Sequence, residues 1–335
     1  MSTLLLHDEE SSEVGKLADE FLESHAVMQD PTELSAAAVV TAQRLPERVR
    51  EFLARVRTEG PAVTVLSNLP VQEELEPTPI GWEIAAKLRA AQREEMVLLL
   101  CGAALGEPFG WVSQQAGRLI HDVCPTPEAE TSLTSASSTL ALNFHTEDVF
   151  HPCRCDYVSL FCLRNPTGVG TTVVPVTALD LPDEIRQVLF QERFLFLPDD
   201  SHSLSSLPDG TGGSDGAGGP DAADGALSSA RRGAVLFGPA DAPYLRFDID
   251  FMRPVPGDRE AAEAIEAVQR QLSTSAERVT LAPGDIVFLD NYRVVHGREA
   301  FASRYDGSDR WLKRLNLSRD ARRIRALTGR QSVII

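Results

Sequence analysis

From about Arg118 onward the apolar residues fall into short runs, at 156–163, 171–176, 194–197, 234–237, 244–251, 286–289 and 311–317, each closed by glycine, proline or other turn formers. Strands this short must pool their apolar faces to make a core. Many of them in succession, without a helix after each, predict a barrel or a double-sheet jelly roll rather than a parallel α/β sheet. One helical pattern, 260–272, interrupts the series.

The first third reads differently. Asp30-Pro31-Thr32-Glu33 offers a capping carboxylate, a proline at the first helical position and an acid two residues on. Pro46 opens a second helix with Val49, Phe52, Leu53 and Val56 on one stripe and Gly60 at its end. Residues 84–105 predict a third helix, increasingly buried. Between the later strands, residues 199–233 contain many glycines and almost no apolar side chains. Such a stretch is either a disordered insertion or a lid over an active site, and the sequence leaves both readings open.

Charge narrows the partners. The formal net charge of −17 argues against nucleic acid or an anionic membrane surface and favours cationic ligands. The longest apolar run, 96–105, falls short of the roughly 20 residues a membrane span needs. The first ten residues have no basic n-region, so no signal peptide is expected. Five cysteines without a CxxC pair argue against disulfides and structural zinc, and the cytoplasm is the expected location. Oligomeric state is not readable.

The chemistry centres on His145-Thr146-Glu147 and, about 150 residues later, His296. On an extended strand, residues two apart leave the same face, which would bring His145 and Glu147 together. Two imidazoles and one carboxylate form the facial triad of non-haem iron(II) oxygenases, with positions left open for co-substrate and oxygen. An HxE pair alone is more often structural. Arg310 follows His296 at the start of a predicted strand and offers the planar fork that grips a carboxylate. A zinc hydrolase would explain the triad without Arg310; a metal-free jelly-roll binding module would need neither.

The segments HTEDVFHPCRCDYVSLFCLRNP, DNYRVVHGREAFASRYDGSDRWLKR and GWVSQQAGR resemble the clavaminate synthase-like family of Fe(II)/2-oxoglutarate-dependent oxygenases. Within it the chain is most similar to the free-amino-acid hydroxylases, above all those acting on arginine in viomycin biosynthesis. The resemblance covers roughly 45–325. It implies a mainly β fold with flanking helices (α+β), its core a double-stranded β-helix, a cupin-like jelly roll. It implies one oxygenase domain over 1–335, mainly helical over 1–110, with the jelly-roll core over 111–325 and 199–233 as a flexible lid or insertion. It further implies that His145, Glu147 and His296 bind Fe(II), and that Arg310, helped by Thr172, holds the C5 carboxylate of 2-oxoglutarate. Gln114, Glu147 and Arg314 match positions that hold the α-amino and α-carboxylate groups of the substrate.

Asp248 and Asp250, placed on one face of a predicted strand, repel each other unless a cation joins them. In the arginine hydroxylases such a pair receives the guanidinium. The implied reaction uses O2 and 2-oxoglutarate to hydroxylate Cβ, Cγ or Cδ of free L-arginine, releasing succinate and CO2. Lysine as substrate, and desaturation in place of hydroxylation, stay open.

Overall fold

Three acids, Asp8, Glu9 and Glu10, crowd the first turn of the opening helix, where they complement the positive end of its dipole. This helix, α1 (Asp8–His25), follows a short strand, β1 (Ser2–Leu5). The computed structural model describes residues 1–25, 30–130, 136–198 and 230–335. All but the last four residues of the 199–233 segment therefore lie outside the described residues.

Asp30 accepts a hydrogen bond from the Thr32 amide at 2.7 Å, and Pro31 starts α2 (Pro31–Thr41) as expected. The next helix, α3 (Glu47–Glu59), ends at Gly60. The continuous helix expected over 84–105 is in fact two, α4 (Trp82–Leu88) and α5 (Gln92–Ala103). Arg89 and Ala91 take left-handed backbone angles (φ 53° and 54°) and break the run between them. The break lets α5 bury Leu98, Leu99 and Leu100 completely, while Trp82 and Glu83 on α4 line a cavity. Each such leucine contributes about 2 kcal/mol by burial.

The helical first third also supplies strands. β1 runs parallel to β2 (Val63–Ser67), and β2 pairs with a strand from the far end of the chain. The later strands are β3 (Glu107–Phe109), β4 (Ile120–Val123), β5 (Leu142–His145), β6 (Tyr157–Arg164) and β7 (Gly170–Pro175). After α6 (Asp183–Leu189) come β8 (Phe194–Phe196), β9 (Arg231–Gly233), β10 (Leu236–Phe237), β11 (Tyr244–Leu245) and β12 (Met252–Pro254). Helix α7 (Arg259–Ser275) precedes β13 (Glu277–Thr280), β14 (Ile286–Asp290), β15 (Val294–Arg298), β16 (Trp311–Ser318) and α8 (Arg322–Thr328).

The fold is thus mixed α+β with several sheets. The largest has seven strands in the order β1-β2-β14-β6-β16-β3, with β4 also paired to β16; a four-stranded sheet runs β13-β7-β15-β5. One apolar cluster joins α1, α2, α3 and α5 to the larger sheet. A second packs Ala261, Ala264, Val268 and Leu272 of α7 with Val174 and Val295 of the smaller sheet. Asp258 caps α7 by accepting from the Ala261 amide at 3.0 Å. All five cysteines are buried free thiols, and no helix among the described residues is long and apolar enough to cross a membrane.

Candidate active site

β5 ends at His145, and antiparallel pairing sets His296 of β15 directly opposite it. Opposed residues of such a pair share one face, and the two imidazole centroids stand 4.3 Å apart. The carbonyl of Asn143 accepts from Nδ1 of His145 at 2.8 Å, which aims Nε2 inward.

Glu147 arrives by a different route from the one expected. The strand stops at His145, and Glu147 begins a turn in which Asp148 takes a left-handed φ of 51°. Strand alternation therefore does not place it. Asn291 does: its Oδ1 accepts from the Glu147 amide at 2.7 Å, while its Nδ2 donates to the carbonyls of Glu147 (3.1 Å) and Cys155 (3.0 Å). Oε1 of Glu147 ends 3.3 Å from Nε2 of His296 and 3.6 Å from Nε2 of His145. One ligand atom from each of the three residues lies within 4.8 Å of the others.

This donor set suits a first-row divalent metal. Burial alone would lower the pKa of His145, but the hydrogen bond and charge of Glu147, with Asp248 nearby, raise it to about 9. Burial pushes the Glu147 carboxyl upward, and the Arg314 charge and both histidines outweigh it, holding Glu147 well below the usual range. A proton shared among three converging ligands is one a cation would displace.

Both sheets line one cavity of about 430 Å³. Arg310, Leu312 and Arg314, at alternate positions leading into and along β16, face it. Arg310 is 6% exposed and has no carboxylate partner or side-chain hydrogen bond among the described residues; its Nε is buried and unsatisfied. Burial lowers its pKa to about 10. A buried guanidinium without a counter-anion is costly, and a bound carboxylate relieves it. Arg314 donates to Oε1 of Gln114 at 2.8 Å, Nδ1 of His121 at 2.8 Å and Oε2 of Glu147 at 3.3 Å. Gln114 and Arg314, paired in expectation, are thus in contact.

Two expectations need correction. Asp248 and Asp250 both line the cavity, but they do not share a strand face. Asp248 makes a single bridge to His145 and then caps a turn, its Oδ1 accepting from the amides of Asp250 and Phe251 at 2.9 Å each. An aspartate side chain competes in this way with the ladder for backbone donors. Asp250 accepts from Nδ2 of Asn143 at 3.1 Å. Burial raises the Asp248 pKa to about 6. Arg246 forms no ion pair with these acids; it lies over the Phe196 ring.

Thr172 is the second correction. In the β7–β15 register it stands opposite Gly297, whereas Thr171 stands opposite Arg298 and faces the cavity. His296 and Arg298 share the face of Thr171, so Thr172 points to the other side. Sequence reading also gave no role to Asn291, although it sits five residues before His296.

Two histidines and a carboxylate between two sheets, beside a buried unpaired guanidinium, define a mononuclear non-haem metal enzyme. Residues 88–316 match the family described as taurine catabolism dioxygenase TauD, TfdA family, and the chain belongs to that family. It is 39% identical to enduracididine beta-hydroxylase of Streptomyces hygroscopicus, over 97% of this chain and 96% of that one. It is 38% identical to L-ornithine/L-arginine 3-hydroxylase of Catenulispora acidiphila, over 97% of each. The crystal structure of the non-heme iron oxygenase OrfP with Fe, succinate and (3S)-hydroxy-L-Arg superposes with a TM-score of 0.89 at 34% identity, covering 99% of both chains.

Proposed function

We propose that this chain is an Fe(II)/2-oxoglutarate-dependent oxygenase that hydroxylates an unactivated carbon of free L-arginine in natural-product biosynthesis, releasing succinate and CO2. The observation that carries this reading is Arg310: a buried guanidinium with no anionic partner among the described residues, opening onto the same cavity as a His/Glu/His triad. A zinc hydrolase has no use for it. Enduracididine beta-hydroxylase, L-ornithine/L-arginine 3-hydroxylase and OrfP with (3S)-hydroxy-L-Arg all point to C3, which supports Cβ as the carbon attacked.

His145, Glu147 and His296 would hold the iron, which with the keto acid and O2 supplies the oxidising power that breaks the C–H bond. Arg310 receives the C5 carboxylate of 2-oxoglutarate, with Thr171 taking the part expected of Thr172. Arg314 and Gln114, with Glu147, bind the α-groups of the amino acid, and Asp248 and Asp250 receive its guanidinium. Clamping both ends holds one carbon near the metal, and burial of the site keeps water out. A double-stranded β-helix core within a single domain over 1–335 goes with this reading, supported by the cavity that both sheets line. So does a cytoplasmic location, where 2-oxoglutarate and ferrous iron are available.

The test is mass spectrometry of a panel of free amino acids incubated with the protein, Fe(II), 2-oxoglutarate and O2. Gain of one oxygen on arginine, with equimolar succinate, is expected. Succinate release with no arginine product would refute the substrate, and loss of two hydrogens would replace hydroxylation by desaturation.

A further inference from the structure

His121 of β4 lies directly opposite Arg314 of β16 in the strand register and is 3% exposed. Its Nε2 pairs with the carbonyl of Arg118 at 3.0 Å, so Nε2 carries the hydrogen and donates. That fixes the tautomer and leaves the Nδ1 lone pair to accept from Nη2 of Arg314 at 2.8 Å. Arg118 is itself held by Glu95 (2.6 Å) and Asp122 (2.9 Å), so the imidazole stands on a rigid base. Burial, then the Arg314 charge, keep His121 neutral. Gln114 takes the other Nη2 hydrogen at 2.8 Å.

Both partners of Nη2 are therefore uncharged acceptors. They stop the guanidinium from rotating without cancelling its charge. Among the described residues the one anion paired with Arg314 is Glu147, which belongs to the triad.

We infer that His121 is a positioning residue for free α-amino acids: with Gln114 it pins Arg314 so that the substrate's α-carboxylate meets a guanidinium of fixed orientation, held at Nη2 by partners that add no opposing charge. The inference rests on the proposed role of Arg314. A carboxylate at position 121 would pin the same nitrogen but neutralise it, and an apolar side chain would leave that nitrogen held by Gln114 alone.

Calorimetric binding of L-arginine and of agmatine, which lacks the α-carboxylate, to protein loaded with Ni(II) and 2-oxoglutarate tests this without turnover. His121→Phe should weaken arginine about tenfold and leave agmatine as it is in wild type. His121→Asn, which keeps an acceptor near the position of Nδ1, should restore arginine binding to within about threefold. In steady state His121→Phe should raise KM for arginine while kcat and KM for 2-oxoglutarate hold. If His121→Phe does not fold, His121→Asp should show the same tenfold loss through neutralisation. Arginine binding equal to wild type in the Phe or Asp variant overturns the inference; so does agmatine weakened as much as arginine. If wild type binds a different free amino acid, the arginine reading fails and the same comparison is made with that amino acid. If it binds none, both fail.

Discussion

Arg314 reaches Oε2 of Glu147 at 3.3 Å, so the carboxylate whose Oε1 faces the two imidazoles is tied by its other oxygen to the residue proposed to hold the amino acid. The proposed metal and substrate subsites thus share one side chain. Perturbing the support of Glu147 should therefore be felt at both.

Asn291 is that support. Its amide satisfies the backbone N–H and C=O of Glu147 and the carbonyl of Cys155, all buried. Asn291→Ala leaves these groups unpaired, at a cost of about 3 kcal/mol in unfolding free energy. Iron affinity should fall roughly tenfold to a hundredfold, as for other outer residues that orient ligands. Denaturant melts and metal titration measure the two effects; unchanged iron affinity would remove Asn291 from the site.

Arg310 supplies the next test. Arg310→Met should raise KM for 2-oxoglutarate roughly a hundredfold with arginine affinity little changed, because a buried carboxylate loses the guanidinium that pairs with it. Arg310→Lys keeps the charge but not the fork, and about a tenfold rise is expected. A normal co-substrate KM in the Met variant excludes this anchor.

For the acidic pair the expected loss is on the amino acid alone. Asp250→Ala should raise KM for arginine roughly a hundredfold and leave 2-oxoglutarate and iron binding intact. Citrulline, which carries no charge, should bind the variant and the wild type about equally. Arginine kinetics unaffected by the change would assign the guanidinium to other groups.

Metal uptake by the metal-free protein should be steeply pH-dependent. His145 is protonated up to about 9, and His296 is held below its ordinary value by burial and by the charge of His145, so the triad carries one proton at neutral pH. The pKa of His145 is raised, so the proton is fully present below the ordinary histidine range and is lost as pH climbs through about 9. Divalent metal must expel it. Apparent affinity should rise about tenfold per pH unit below that value and level off above it. Calorimetry in buffers of different ionisation enthalpy should count about one proton released near pH 8. A flat profile would show that His145 is already neutral.

The triad is legible because its residue types and order are distinctive, but strand alternation between His145 and Glu147 does not account for its geometry. His145 and His296 meet through strand register, which a sequence does not display, and Glu147 through the side chain of Asn291. The choice between Thr171 and Thr172 likewise turns on which of two neighbours opposes Arg298, a matter of pairing rather than composition. Asp248 and Asp250 look like strand residues by alternation; what ends the strand is the side chain of Asp248 bonding its own backbone. The helical start at Asp30 and Pro31, by contrast, is local and follows from their chemistry, whereas Gly60 ends α3 in an extended rather than a left-handed conformation. The fine break at Arg89 and Ala91 leaves no mark in the apolar pattern.

One feature of β16 constrains how such an enzyme could change its substrate. Arg310 and Arg314 lead into and lie on one extended strand clamped between β4 and β6, so the anchors proposed for the keto acid and the amino acid are held about 13 Å apart along the backbone. That interval is a covalent ruler, and no side-chain substitution can stretch it. A longer or shorter amino acid must be accommodated from the opposite wall, where Asp248 and Asp250 sit on a turn whose length is free to vary.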